Sequence, residues 1–457
     1  MYNFNGEPVF LRYGADATRL ALANSGDSIE DANFETTVAD AAVLRLWTFV
    51  ELIKELLAEV DSMRTSPALT VNDHMFAAEM NLKINESREN YNGMLFKEAL
   101  RTCYFEYSNL FHQYRERSAV QGGPHSDLVK RYITTQVLIL SPICPHICDH
   151  IWRDLLMNNS SILRAAWPSV SEPDLGLVKA SAYLADISHS FRLRLKSAMA
   201  VKTKKNSSAH PEVKPTNGVI WVAKTFPDWQ SSILAKMHEM YEANGKQLPD
   251  NKEISKALGS MPELKKYMKK VMPFAQTVRE QLTVSGPSAF RNTVEFDEEN
   301  IIKESMGYLK DTLLLETLEM KWTHECDNEK TKMEVIPGEP FLSLSTAPHI
   351  LISVVNPQPF TSVFSFLLPV FEADTGGSIV SRLVRQEKGI KPPTKVTLHR
   401  YVDPTLGPRV LPNMNEPLAG TEPIEDTDEF LLSDGGSKVT VAGKPLGEKV
   451  LVLLSTY

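Results

Sequence analysis

From about residue 12 to residue 157, apolar residues recur every three to four positions with few breaks, and this periodicity decides what the first third of the chain can become. In VLRLWTFVELIKELL, Val43, Leu46, Trp47, Val50, Ile53 and Leu57 fall at helical spacing, with Glu51, Lys54 and Glu55 between them. Such a segment must bury one face, and successive segments joined by short turns bury one another. A helix bundle of up-down character is the expected result. Asn33 is the expected cap of this helix. Further helices are expected near 73–91, 93–117, 127–141 and 144–157, with GGPHSD turning the chain before Ser126 or Asp127 as cap. Ahead of them, LRYGADATRLALANSGDSIEDANF predicts a well-capped helix over Arg12–Ala23 whose apolar face docks on another body. Left bare, that face would promote aggregation.

The pattern then changes twice. WPSVSEPDLG closes the bundle, and a helix follows that ends in FRLRLKSAMAVKTKKNSSAHPEVKPTN, whose lysine-rich tail is expected to be a mobile surface linker. GVIWVAKTF predicts a strand, helices follow near 229–243, 251–258, 261–282 and 297–310, and LLLETLEMKW alternates like a strand. Beyond residue 340, HILISVVNP, SVFSFLLPVFEA, KVTLHRYVD, KVTVAG and KVLVLLST predict strands, with a helix in GGSIVSRLVRQEKGI ended by Gly389 and an acidic surface loop in EPIEDTDEF. Two strands, a helix and then more strands predict a β-grasp-like, ubiquitin-like domain. The expected class is multidomain, mainly α and then α+β: a helix bundle over 35–170, an α/β region over 175–330 and the β-grasp-like end over 340–457.

Composition narrows the function classes. A length of 457 residues with 42% hydrophobic content supports several cores. A net charge of -8 excludes a uniformly basic nucleic-acid binder but permits a local basic face. Four cysteines are too few for a disulfide framework, so a reducing, cytoplasmic setting is expected. The longest apolar run, VLILSPIC, is broken by Pro142, and MYNFNGEPVF has neither a basic nor a continuous apolar leader region, so no membrane contact is expected.

Three motifs invite a chemical reading. CPHICDH places Cys144 and Cys148 on one helical face and His146 and His150 on another. Structural zinc sites draw four convergent ligands from separate elements, so core cysteines and a hydrogen-bonded histidine are expected here rather than a metal. In DNKEISKALGSMPELKKYMKKVMPFA, Gly259 ends one helix and Ser260 with Glu263 fits a capping box for the next. On that next helix Leu264, Tyr267, Met268, Val271 and Met272 form an apolar stripe, while Lys265, Lys266, Lys269 and Lys270 form two like-charge pairs four residues apart. Their mutual repulsion would be relieved by an anion such as an RNA phosphate backbone; a solvated lysine face is the competing reading. Arg192, Arg194, Lys196, Lys202, Lys204 and Lys205 form a second basic set, with no acid between Asp186 and Glu212. It suits either an RNA clamp or a solubilising linker. There is no glycine-rich phosphate cradle, nucleophile elbow or zinc-protease helix; DTGGS and SDGGS read as turns.

Longer runs carry a family resemblance. YGADATRLALANSGDSIEDANF resembles the segment that follows the catalytic KMSKS loop in eukaryotic cytosolic leucyl-tRNA synthetases. LILSPICPHICDHIW is similar to the helix pair of the anticodon-binding domain in class I synthetases for leucine, isoleucine and valine. NGKQLPDNKEISKALGSMPELKKYMKKVMPFA, VNPQP and DPTLGPRVLP resemble the C-terminal extension of the animal-type enzyme. The resemblance implies ATP-dependent attachment of leucine to tRNA-Leu, with ATP and Mg2+ bound by a catalytic domain. No position here matches its HIGH and KMSKS signatures or the editing domain, so no catalytic residue, cofactor or metal is assigned and the chain is expected to be inactive alone. Residues 1–34 would be a remnant of the stem-contact region, packing beneath the missing catalytic half. Implied partners are tRNA-Leu, gripped at its outer corner and long variable arm, that catalytic half, and other synthetases of a multi-synthetase complex; DNA is not among them. A protein-interaction scaffold and a freestanding tRNA-binding protein are the alternatives.

Overall fold

The apolar period of the first third becomes a stack of helices in the computed structural model, which describes residues 9–28, 34–205, 214–326, 328–346, 349–355, 365–371, 374–386, 395–401, 421–433, 438–446 and 450–456. The elements begin with α1 (Val9–Tyr13), α2 (Ala15–Ser25), α3 (Thr36–Glu59), α4 (Val71–Asn92), α5 (Phe96–Leu100), α6 (Tyr107–Ser118), α7 (Ser126–Leu140), α8 (Pro145–His150) and α9 (Leu175–Lys205). Two π-helical turns, Arg101–Glu106 and Ile151–Leu155, extend α5 and α8. The chain divides into two compact units, Met1–Arg194 with Val219–Leu314 and Leu318–Ser343, and Leu195–Gly218 with Leu315–Thr317 and Leu344–Tyr457. Among the described residues no helix is long and apolar enough to cross a membrane.

The bundle core is aromatic: Phe76 stacks on Tyr114 at 4.3 Å and Phe111 on Tyr132 at 4.4 Å. The buried face of α3 is turned relative to the expected stripe. Ala39, Ala42, Leu46, Phe49, Ile53 and Leu56 are inside, spaced alternately by three and four, whereas Val43 and Trp47 are exposed. Caps differ as well. Asn33 lies outside the described residues, and α7 is capped not by Ser126 or Asp127 but by His125, whose Nδ1 accepts from the Asp127 amide. The best-formed start is that of α4, where Thr70 and Asp73 make a reciprocal capping box.

The leading helix departs from expectation in two respects. Gly14 separates α1 from α2 and provides no side-chain cap. Its apolar face is also not bare: Ala17, Leu20 and Ala21 are buried, and Asp16 accepts from the Ile147 amide at 2.7 Å. The body that these three residues pack on is this chain's own bundle, while Leu11 remains 72% exposed.

Next come β1 (Asn217–Val222), α10 (Asp228–Ala243), α11 (Asn251–Gly259), α12 (Met268–Ser285), α13 (Glu298–Glu304), α14 (Met306–Leu313), β2 (Thr317–Trp322), α15 (Glu329–Glu334) and β3 (Phe341–Ser345), with the strands ordered β2-β1-β3. Helices α10, α11 and α12 close their own core around Trp229, Ile233, Met237, Leu258, Leu264 and Val271.

The terminal region contains β4 (His349–Val355), β5 (Ser365–Phe371), α16 (Gly376–Gln386), β6 (Lys395–Tyr401), β7 (Thr421–Ile424), β8 (Phe430–Ser433), β9 (Lys438–Val441), β10 (Lys444–Pro445) and β11 (Val450–Thr456). Five strands are ordered β5-β4-β11-β6-β7, with β11 parallel to β4 and the other neighbours antiparallel, which is the β-grasp arrangement expected from the sequence. EPIEDTDEF is not simply a loop, since its ends enter β7 and β8. DTGGS is not a bare turn either. It opens α16, with Arg382 bound to both Asp374 oxygens at 2.8 Å. Gly389, all of DPTLGPRVLP and all of VNPQP except Val355 lie outside the described residues.

Candidate nucleic-acid interface

The lysines of the middle region do not lie on one α-helix. Pro262–Tyr267 is a 3-10 turn, and α12 starts only at Met268. Between them Tyr267 leaves helical geometry, with φ -112° and ψ 11°, and stacks on Trp229 at 5.1 Å. Lys265 and Lys266 therefore sit on the tight turn and Lys269 and Lys270 on the first turn of α12, so the two supposed four-residue pairs straddle a break. The capping box is absent. Ser260 Oγ donates to the Ala257 carbonyl, and Glu263 accepts from Ser232 Oγ at 3.0 Å. Met268, expected in the apolar stripe, is 49% exposed, whereas Leu264 and Val271 are buried.

All four lysines are nevertheless exposed, and none has an ion-pair partner among the described residues. Sequence reasoning missed two companions. Lys252 and Lys256 are four apart on α11, opposite the buried Ile254 and Leu258, and they too are exposed and unpaired. The like-charge spacing inferred for the later lysines is realised here, and the period of Ile254 and Leu258 was the signal that could have shown it. On α10, by contrast, Lys236 is matched to Glu239 at 2.7 Å. Six unmatched lysines on adjoining elements form a corner that can hold polyanions without breaking any internal bond.

The second basic set is helical, not a linker, as far as Lys205, and residues 206–213 lie outside the described residues. Alanine, methionine and lysine are good helix formers, which favours continuation where low hydrophobicity suggested disorder. Arg192, Arg194 and Lys196 are exposed. Arg194 lies 3.5 Å above the Phe341 ring, and Arg192 borders a cleft that Glu116 and Asp311 also line. Lys202, Lys204 and Lys205 lie on the last part of α9.

CPHICDH behaves as two different faces. Cys144 and Cys148 are buried in the bundle core with Cys103, while His146 and His150 are exposed and His150 Nδ1 meets Asp154 at 2.7 Å. Burial pushes the Cys103 thiol up to about 12 and also raises Cys144 and Cys148.

Three family models match this architecture. Residues 73–211 match the anticodon-binding domain of tRNA ligase, residues 222–295 the RagD-binding domain of leucine--tRNA ligase, and residues 346–451 the ubiquitin-like domain of the same ligase. Among curated relatives, the cytoplasmic leucine--tRNA ligase of Pongo abelii is 44% identical over 419 residues, covering 92% of this chain and 35% of its own length. That of Neurospora crassa is 33% identical, covering 73% of this chain and 29% of its own length. That of Saccharomyces cerevisiae is 34% identical, covering 66% of this chain and 27% of its own length. The chain thus spans about a third of the length of the relatives it matches.

Proposed function

Because the chain belongs to the cytoplasmic leucine--tRNA ligase family, whose C-terminal anticodon-binding, RagD-binding and ubiquitin-like part it matches, we propose that it holds tRNA-Leu for leucylation. The observation that carries this reading is a closed helix bundle lying over the residues that match the anticodon-binding model. The exposed, unmatched lysines of α11, the Pro262–Tyr267 turn and α12 are proposed as phosphate contacts, with the cations of α9 as a second set. Duplex RNA hides its base edges in a deep groove, so recognition would rest on backbone contacts and on the shape of the outer corner and variable arm. The reaction proposed for the whole ligase is the ATP-dependent joining of leucine to tRNA-Leu. ATP and Mg2+ are proposed to belong to the catalytic domain of the whole ligase, and no residue of this chain is proposed to hold either.

Fluorescence anisotropy with labelled transcripts tests the reading. The chain should bind tRNA-Leu more tightly than a tRNA with a short variable arm, and should keep that preference after the anticodon is replaced. Equal binding of both transcripts, or loss on anticodon replacement, would overturn it.

A second role is favoured by the match of residues 222–295 to the RagD-binding model: this helical segment docks RagD. The ubiquitin-like end is proposed to dock other synthetases of a multi-synthetase assembly.

A further inference from the structure

The helical segment that carries the lysine corner also has a cleft of about 450 Å3 between the end of α10 and the last turns of α12. Tyr241, Leu248 and Leu282 provide its apolar lining, Lys246 and Arg279 its charge, and no carboxylate among the described residues lines it. The two cations are held in different ways. At the end of α10 the chain turns through two successive left-handed residues, Gly245 at φ 66° and Lys246 at φ 64°. Glycine accepts that geometry freely; a lysine rarely adopts it, and strained residues of this kind gather at ligand-binding positions. Arg279 is anchored by the Asn251 side-chain oxygen at 2.7 Å and by the Pro249 carbonyl. Both acceptors are neutral, so the guanidinium is fixed in place without losing its charge.

We infer that this cleft seats an acidic side chain of a docking protein between Lys246 and Arg279, with a neighbouring apolar residue of the same segment against Leu248 and Leu282. The inference rests on the reading that residues 222–295 dock RagD, and it names the contact. Chemistry favours a peptide over RNA here. An apolar lining adds nothing to the binding of a phosphodiester, whereas a carboxylate flanked by an apolar side chain satisfies both halves of the cleft.

The test measures the binding of immobilised RagD and of a tRNA-Leu transcript by the full chain and three variants. Lys246→Gly removes the charge while relieving the left-handed strain, so its thermal midpoint should not fall. It should weaken RagD binding about tenfold or more, as the loss of a charge-assisted hydrogen bond implies. Lys246→Glu should weaken it further, Lys246→Arg should stay near the parent, and tRNA-Leu binding should not change in any of them. Undiminished RagD binding by Lys246→Gly and Lys246→Glu overturns the cleft assignment while leaving RagD docking intact. A loss of tRNA binding instead overturns it in favour of a phosphate site. Failure of the unaltered chain to bind RagD removes the docking reading itself, and this inference with it.

Discussion

Replacing Lys265, Lys266, Lys269 and Lys270 together with glutamine isolates the electrostatic contribution of the lysine corner. None of the four has an acidic partner among the described residues, and the packing of this region is carried by Leu264 and Val271, so the fold should not respond. Each lysine that neutralises a phosphate adds about 0.7 to 0.9 to the slope of log affinity against log salt, and four therefore add about 3. Between about 50 and 200 mM salt, that slope alone weakens binding about 50- to 150-fold. Titration of labelled tRNA-Leu at several salt concentrations should give a slope shallower by about 3 in the variant than in the parent. Adding Lys252→Gln and Lys256→Gln should flatten it by roughly another 1.5. Circular dichroism should be unchanged throughout. Equal slopes in parent and fourfold variant would show that these lysines face solvent and that RNA is held elsewhere.

Three other outcomes follow from the packing. The fully buried Asp73 carboxylate accepts two bonds from Arg64, at 2.6 and 2.8 Å, one from the Tyr114 hydroxyl at 2.5 Å and one from the Thr70 amide at 2.7 Å. Arg64→Met leaves that charge without its cation and should cost about 3–5 kcal/mol in urea unfolding. Burial pushes the Asp73 carboxyl up, but its donors outweigh this and hold it below the ordinary 3.8, so the contribution is present at neutral pH and lost as pH falls below that value. A deficit that does not shrink at all as pH falls below 3.8 would contradict this account. Gly376→Ala drives a Cβ into the Glu425 carbonyl oxygen and should destabilise the ubiquitin-like fold by about 1–3 kcal/mol; hydrogen exchange in β4 and β6 unchanged from the parent would refute it. The buried thiols of Cys103, Cys144 and Cys148 should resist iodoacetamide near pH 8 until the bundle is unfolded, as read by mass spectrometry. Rapid labelling of the native chain would refute that.

Much of the fold was legible because helical and strand periods are local signals. The helices of the bundle, the alternation of the β-grasp strands and the position of α16 all follow from runs of ten or so residues. The choice of buried face on α3 was not legible. Val43 and Trp47 share a broad apolar arc with Leu46 and Val50, and only tertiary packing selects the edge through Phe49 and Leu56. The cap at His125 was missed because histidine is an uncommon N-cap; here its ring also meets the Ser66 carbonyl at 3.0 Å, a partner 59 residues away. The short β7 and β10 were hidden because two to four residues, several of them charged or proline, carry too little alternation to register.

The candidate site shows the same division between local and distant information. A lysine's presence is local, but whether its charge is available depends on acids that the fold brings near. Lys236 finds Glu239 three residues on, whereas Lys179 meets Glu295, 116 residues away. No composition window separates such paired cations from the six that remain unmatched on α11, the Pro262–Tyr267 turn and α12. Once pairing is known, the described cations between residues 222 and 295 that lack an acidic partner include two chemical kinds: an open corner of lysines, and a lined cleft where Lys246 and Arg279 flank apolar side chains. A polyanion gains from the first through counterion release and needs no shape from it; a protein segment needs the second, where burial of an apolar side chain adds to the charge. On the proposed roles, it is this difference in lining, more than net charge, that would let one short helical segment address nucleic acid and protein through separate residues.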